Sequence, residues 1–211
     1  MTRFFDEHQH ETIDAAMARI IPSDGGPGAR EAGVTEFVDR YLSGLAFIYA
    51  KPDGSGFLEL RGRSAQAWRR RIGALRQQYE EGVGELDRRS GERFGAEFRR
   101  LSQEGQDQVL AELERASSDQ EELQEEKATA GYGGAAQPGL QEPATETGLD
   151  FFALLVLHAR QGFYADPVYG GNRDAVGWRH IGFPGPASMA EVHSGEYSTL
   201  EYFAAERTDG R

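Results

Sequence analysis

The sequence predicts an all-α fold, an irregular helical domain with long loops and an aromatic, Gly-rich loop region near the C-terminus. Two observations predict this class. Apolar residues recur three and four positions apart in four segments between residues 13 and 113, which is the period of amphipathic helices. None of those segments alternates apolar and polar residues as a half-buried strand does. At 211 residues, of which 38% are hydrophobic, the chain is long enough for a single core.

The first two predicted helices follow from apolar stripes that end at turn residues. A stripe that starts at Ile13 ends at Pro22, and a pair of glycines follows. A second stripe ends before the turn-rich segment 52–56, PDGSG. This second stripe consists of Val34, Phe37, Val38, Tyr41, Leu42, Leu45 and Ile48.

Two further helices are predicted between residues 64 and 116. A long amphipathic helix begins near Ser64 and continues to a break at Ser90-Gly91. Ser102 is the predicted N-cap of the next helix, because acidic residues follow near its positive end. The apolar stripe of the long helix is Ala65, Trp68, Ile72, Leu75, Tyr79, Val83 and Leu86.

Residues 117–147 differ in composition and are predicted to form an acidic, Gly- and Pro-containing disordered insertion. Seven acidic residues against Lys127 give −6, which is half of the chain's formal net charge of −12. Residues 131–136 match the spacing of a dinucleotide-binding glycine motif, but no strand precedes them and Pro138 follows, so we reject that interpretation. We expect the N-terminal helical part, residues 1–116, and residues 148–211 to form one domain around the insertion.

Composition excludes several classes of protein. The chain has 35 acidic and 23 basic residues, which argues against nucleic acid as a partner. It contains no cysteine, and therefore no disulfide, thiolate metal site or c-type haem attachment. The longest apolar run, residues 151–157, is far shorter than the about 20 residues of a transmembrane segment. The N-terminal residues lack a signal-peptide or twin-arginine pattern, so a cytoplasmic location is expected for the chain as encoded.

The segment 149–157, LDFFALLVL, is apolar nearly all round and predicts a central buried helix, which a loop rich in aromatic and glycine residues follows. Aromatic, Asn and Arg side chains on a rigid scaffold are typical of protein–protein contact sites. The same aromatic residues could instead cover the domain's own core, and both interpretations stay open. The loop residues that we expect at a partner surface are Tyr164, Asp166, Tyr169, Gly170, Gly171, Asn172, Arg173, Trp178 and Phe183.

The sequence indicates no catalytic, cofactor-binding or metal-binding residues. It has no nucleophile motif, and its five histidines lack metal-ligand spacing. His158 and Asp166 flank Tyr164 and could form an acid/base pair, although a polar helix end and an Asp-Pro turn explain them more simply. Residues 169–172 could bind an anion through backbone N–H groups, but a turn with positive φ is the simpler interpretation. The alternative function is a small stand-alone enzyme or polar-ligand-binding domain that uses His158, Tyr164, Asp166 and Asn172.

Both ends of the chain resemble a known family. Residues 162–174, GFYADPVYGGNRD, with Gly177-Trp178 and residues 181–185, IGFPG, closely resemble the C-terminal signature of the gluconate 2-dehydrogenase subunit 3 family. Residues 18–24 and 27–34 resemble the N-terminal segment of the same family, in which one helix ends and the next begins.

This resemblance implies that the chain is an accessory small subunit and not the catalyst. Members of the family accompany a large FAD-dependent flavoprotein of the glucose–methanol–choline (GMC) oxidoreductase type that oxidises sugars, sugar acids or alcohols, and a cytochrome c often takes the electrons. The resemblance implies that the small subunit binds and stabilises the flavoprotein, with a chaperone-like role in its export. No cofactor is then expected in this chain, and FAD is expected in the partner. A periplasmic location through co-export with the partner is the alternative to a cytoplasmic one.

Overall fold

The described part of the chain folds into eight α-helices connected by turns and short 3-10 helices, so the predicted all-α fold is confirmed. The computed structural model describes residues 3–53, 55–130 and 146–197. Within these ranges it has no β-strand, only an isolated antiparallel bridge between Ala50 and Phe57. The helices are α1 (Glu7–Ile20), α2 (Ala29–Ala32), α3 (Val34–Ser43), α4 (Gly62–Phe94), α5 (Gln103–Ala130), α6 (Phe151–Tyr164), α7 (Val176–His180) and α8 (Met189–Ser194).

Helix α1 begins at a reciprocal pair of side-chain caps. The Asp6 carboxylate accepts the backbone N–H of Gln9 at 2.7 Å, and the Gln9 side chain accepts the N–H of Asp6 at 3.1 Å. Both hydrogen bonds satisfy N–H groups that have no partner inside the helix. The apolar stripe of α1 is buried, and the helix ends at Ile20, before Pro22, as its pattern predicts.

Helix α4 continues past Ser90-Gly91, where the sequence predicts a break, and ends at Phe94. Ser90 is fully buried, so this part of the helix belongs to the packed face of α4. Tertiary packing therefore offsets the low helix propensity of Gly91. Gly95 caps the helix: its φ of 71° is left-handed, and its N–H donates to the Gly91 carbonyl at 3.0 Å.

The structure differs from the prediction at both ends of the insertion, residues 117–147. Residues 117–130 continue helix α5, because Glu, Gln, Lys and Ala all have high helix propensity and extend a helix that is already formed. Residues 131–145 lie outside the described residues. At the far end, residues 146–148 form a 3-10 turn in which Glu146 is buried. Glu146 is therefore not one of the solvated acids that the composition of this segment predicts.

Helix α6 is the central helix of the domain, as its apolar sequence predicts. It contacts α1, α2, α3, α4, α5 and α7. One hydrophobic cluster joins its Leu154 and Phe163 side chains to Ile13 of α1 and Leu75 of α4. Residues on both sides of the insertion thus share a core. None of the helices in the described ranges is both long enough and apolar enough to cross a membrane.

Helices α3 and α6 approach closely because Gly162 lies at their crossing. A Cβ atom at Gly162 would lie 3.2 Å from the Cα atom of Val34 and 3.1 Å from the ring of Phe37. A larger residue would push the helices apart at the point where the loop after α6 begins. The crossing therefore fixes where that loop lies relative to α3.

Candidate functional site

The predicted recognition loop after α6 is attached to the core by Asn172. The Asn172 side chain donates to the Ala165 carbonyl at 2.9 Å and accepts the N–H of Gly177 at 2.8 Å, and its backbone N–H donates to the Gly162 carbonyl at 2.7 Å. The residue is fully buried and has a left-handed φ of 45°, a conformation that Asn tolerates better than most residues. Asn172 therefore holds the loop together from inside.

Trp178 is also directed inward. Its indole N–H donates to the Tyr164 carbonyl at 2.7 Å, its exposed fraction is 8%, and its ring meets the Phe183 ring edge-on at 5.4 Å. The loop backbone approaches the end of α6 closely at Gly171. Glycine is needed there because a Cβ atom would lie 2.2 Å from the Gly162 carbonyl oxygen. In the free chain, Gly171 and Trp178 thus contact the domain's own core.

The other predicted loop residues lie closer to solvent. The Asp166 carboxylate accepts the N–H of Val168 at 2.9 Å, which gives the Asp-Pro turn of the simpler interpretation. Arg173 lies 3.6 Å from Glu36, and both side chains are about half exposed. Tyr169 and Gly170 are intermediate in exposure, as is Phe183. Among the nine loop residues expected at a partner surface, only Tyr164 and Arg173 are exposed.

A cavity of about 490 Å³ lies beside this loop, and we call it the aromatic cavity. Its volume falls in the usual range of ligand and side-chain binding sites. One ring comes from the last residue of α6 and one from the loop after it, α3 contributes two, and residues of α4 and of the turn after α3 contribute the others. The six aromatic residues that line it are Phe37, Tyr41, Phe47, Trp68, Tyr164 and Tyr169.

Contacts between rings and backbone hold the walls of the aromatic cavity in place. Tyr41 and Trp68 meet edge-on with ring centroids 6.3 Å apart, and Tyr169 meets Phe57 edge-on at 5.8 Å. The Tyr169 hydroxyl also accepts the backbone N–H of Ala50 at 3.3 Å. Edge-on pairs of this kind are favourable beyond their buried area. The cavity is therefore preformed by packing.

A buried polar network forms the floor of the aromatic cavity. The Glu146 side chain is 3% exposed and accepts hydrogen bonds from the Arg71 guanidinium at 2.7 Å and the Tyr41 hydroxyl at 3.0 Å. Its other oxygen is hydrogen-bonded to Nε2 of His158, and Nδ1 of His158 is hydrogen-bonded to the Tyr79 hydroxyl at 2.7 Å. The network runs from the fully buried Tyr79 to Arg71 at the cavity surface.

Electrostatics keep the Glu146 carboxylate ionised. Burial disfavours the ionised carboxylate, but the hydrogen bonds and charges of His158 and Arg71 outweigh burial and lower the pKa of Glu146 to about 2. Burial and the charge of Glu146 raise the pKa of Tyr41 and of Tyr79, so both phenols stay neutral at ordinary pH. The Glu146 carboxylate is therefore a permanent negative charge that its hydrogen-bond partners compensate.

The residues of the alternative enzyme hypothesis do not form one site. His158 and Asn172 are fully buried and bonded within the core, while Tyr164 lines the aromatic cavity and Asp166 does not. The described ranges also contain no group of three or more His, Asp or Glu residues that could hold a metal ion. The geometry fits binding of an apolar or aromatic group better than acid/base chemistry.

Sequence reasoning missed the residues that complete this site. Tyr41 and Trp68 appear in the sequence only as members of helical core stripes, and Glu146 appears as one acid of the insertion. Their role depends on residues far away in the chain. The available signal was a buried helix that contains His158, since a buried imidazole requires polar partners.

One of three comparisons with known proteins found a match. No curated protein and no solved structure matches the chain. The model of one protein family, described as gluconate 2-dehydrogenase subunit 3, matches residues 7–185. The match includes helices α1 to α7. It also includes the residues of the aromatic cavity and the loop that carries the C-terminal signature. The chain therefore belongs to the gluconate 2-dehydrogenase subunit 3 family, a family of dehydrogenase subunits.

Proposed function

We propose that this chain is the non-catalytic small subunit of a dehydrogenase complex and that it binds and stabilises a large FAD-dependent GMC-type subunit. The observation that carries the proposal is the family match over residues 7–185. In this proposal the large subunit holds the FAD and selects a sugar, sugar acid or alcohol, and a cytochrome c accepts the electrons. The small subunit then acts by contact, as a stabilising and chaperone-like partner.

The aromatic cavity supports a binding role. Tyr164 and Tyr169 of residues 162–185, which we call the signature loop, line it, and Tyr164 is 43% exposed. Accessible Tyr and Trp side chains around a preformed pocket are typical of the residues that dominate protein–protein affinity. The charged groups at its floor are already paired, with Glu146 bonded to Arg71 and His158, which favours binding over proton transfer.

The test is affinity purification of the tagged full chain from its native organism, with mass spectrometry and an absorption spectrum of the eluate. We expect a second, larger chain, flavin absorption bands, and oxidation of a sugar, sugar acid or alcohol with an artificial electron acceptor. The separately purified small chain should be colourless and inactive. A stable chain that elutes alone, or activity in the small chain without a partner, would overturn the proposal.

The compartment of the complex stays a prediction. Cell fractionation with and without the co-expressed large subunit distinguishes a cytoplasmic location from export together with the partner. Appearance of the small chain in the periplasm only when the large subunit is present would support co-export. Retention in the cytoplasm under both conditions would support the cytoplasmic location that the sequence predicts.

A further inference from the structure

Arg40, in the last turn of α3, lies against two aromatic rings. The central carbon of its guanidinium is 4.1 Å from the centroid of the Phe47 ring and 5.3 Å from that of Phe57. Ring faces and the negative end of a helix both favour a cation. A ring face attracts the cation but does not accept the in-plane hydrogen bonds that a guanidinium donates.

The guanidinium of Arg40 has no acceptor in the described ranges. Its Nε atom is buried and has no hydrogen-bond partner there. Two other partly buried arginines contrast with it: Arg71 is bonded to Glu146, and Arg76 donates to the carbonyls of residues 42 and 43 at 2.7 and 3.0 Å. Burial lowers the pKa of Arg40, and no carboxylate opposes that shift. A buried donor without a partner is unfavourable, which points to an acceptor that comes from outside the domain.

A second cavity, of about 280 Å³, gives access to Arg40. Gly170 of the signature loop forms one wall. A Cβ atom at Gly170 would lie 3.1 Å from Cδ and from one terminal nitrogen of Arg40, and the φ of 99° at Gly170 also disfavours other residues. The glycine therefore leaves room for the guanidinium. Arg3 and His10 line the same cavity and add basic character.

The two carboxylates that line this second cavity are engaged elsewhere. One oxygen of Asp39 accepts the backbone N–H groups of residues 4 and 5, each at 2.8 Å, and Glu36 faces Arg173 at 3.6 Å. Neither carboxylate binds Arg40. Both would nevertheless repel a doubly charged anion such as phosphate. A group with a single negative charge fits this surrounding better.

We propose that Arg40 binds a carboxylate group that enters this second cavity. A carboxylate matches the planar fork of a guanidinium and carries one negative charge. The carboxylate belongs either to a small carboxylic acid or to an acidic side chain of the large subunit, and the second source rests on the proposed function.

The first experiment is an NMR titration of the arginine Nε–Hε signals with sodium acetate, with sodium chloride at equal ionic strength as the salt control. The R40Q variant assigns the Arg40 signal by its disappearance. The control variant is R115Q, because Arg115 is exposed and, among the described residues, its hydrogen bond goes to the Ala111 carbonyl of its own helix, at 3.1 Å. We expect the Arg40 signal to shift and saturate with acetate, but not with chloride, in the wild type and in R115Q.

The second experiment compares capture of the large subunit by the wild type, R40Q, R40M and R115Q at equal concentrations. R40M keeps an apolar stem over the two rings, and circular dichroism with thermal melting checks that each variant is folded. We expect capture to fall about tenfold or more in both Arg40 variants and to stay unchanged in R115Q, since losing one partner of a buried charge pair weakens binding strongly.

The two experiments separate the sources of the carboxylate. A saturable acetate shift with unchanged capture assigns Arg40 to a small carboxylic acid, and loss of capture without an acetate shift assigns it to the partner's side chain. Absence of both effects would overturn the inference. If the wild type captures no large subunit, the proposed function fails, and the acetate titration alone decides whether Arg40 binds a carboxylate.

Discussion

The Glu146 carboxylate and the His158 imidazole form a buried hydrogen-bonded pair, with side chains 3% and 0% exposed. His158 lies in the middle of α6, and Glu146 lies in the turn where the described chain resumes after residue 145. Glu146 also accepts hydrogen bonds from Arg71 of α4 and Tyr41 of α3, so one carboxylate connects three helices at the floor of the aromatic cavity. We expect this pair to control both the stability of the domain and the shape of the cavity.

Replacing Glu146 with Gln should destabilise the domain by about 3 kcal/mol, because breaking a buried charge network leaves its remaining partners without compensation. The free energy of unfolding is measured by urea denaturation. The control is E112Q, which removes a surface contact with Arg93 and should cost less than about 1 kcal/mol. Equal losses in the two variants would mean that the Glu146 network contributes no more than a surface ion pair.

The contribution of Glu146 should depend on pH in a definite direction. Its pKa is about 2 in the folded chain against an ordinary value of 4.5, so its stabilising effect is complete above pH 4.5 and is lost as the pH falls towards 2. The difference in unfolding free energy between the wild type and E146Q should therefore shrink as the pH falls from about 4.5 to about 2. Urea titrations of both proteins across this range measure it. A difference that stays constant down to the lowest pH would contradict the assignment.

Replacing Tyr79 with Phe tests the inner end of the same network. The change keeps the ring but removes the hydroxyl that is hydrogen-bonded to Nδ1 of His158 at 2.7 Å. A fully buried polar atom then loses its partner, and we expect a loss of about 1 to 2 kcal/mol in unfolding free energy. The control is Y49F, because Tyr49 is 45% exposed; it should change stability by less than about 0.5 kcal/mol. Equal stability of Y79F and the wild type would show that His158 does not need this hydroxyl.

The sequence predicted the helices whose apolar periodicity is strong. The stripe of α4 and the apolar run of α6 define their buried faces by local pattern alone, and both faces are buried in the fold. Glu146 could not be predicted in this way, because residues 41, 71 and 158, which bind it, are distant in sequence. The continuation of α4 through Gly91 could not be predicted either, because packing there outweighs the local helix-breaking tendency of glycine. Local pattern thus predicted the elements, and contacts between them determine the site.

The signature loop was predicted as a contact site from composition, but composition does not show which way a side chain points. Asn172 and Trp178 carry the most distinctive side chains of the loop, and both are buried. Tyr164 and Tyr169 line the aromatic cavity, together with Trp68 from the first half of the chain. The interpretation that loop residues cover the core therefore applies to Asn172 and Trp178, and the interpretation that they meet a partner stays a prediction for Tyr164 and Tyr169.

That division predicts opposite results for Tyr164 and Trp178 when each is replaced with Ala. Y164A removes an exposed ring from the edge of the aromatic cavity, so capture of the large subunit should fall about tenfold while the melting temperature stays unchanged. W178A removes a buried ring and its hydrogen bond to the Tyr164 carbonyl, so it should cost about 3 kcal/mol in unfolding free energy and lower capture only through loss of folded protein.

The matched control for Y164A is F94A, because Phe94 is another exposed aromatic residue, 39% accessible, at the opposite end of α4 from Trp68. Capture is measured by affinity purification at equal amounts of folded chain, and stability by thermal melting. If Y164A captures the large subunit as well as F94A and the wild type do, the aromatic cavity is not the contact site. If W178A keeps the wild-type melting temperature but loses capture, Trp178 contributes directly to the partner surface, and its burial in the free chain must change on binding.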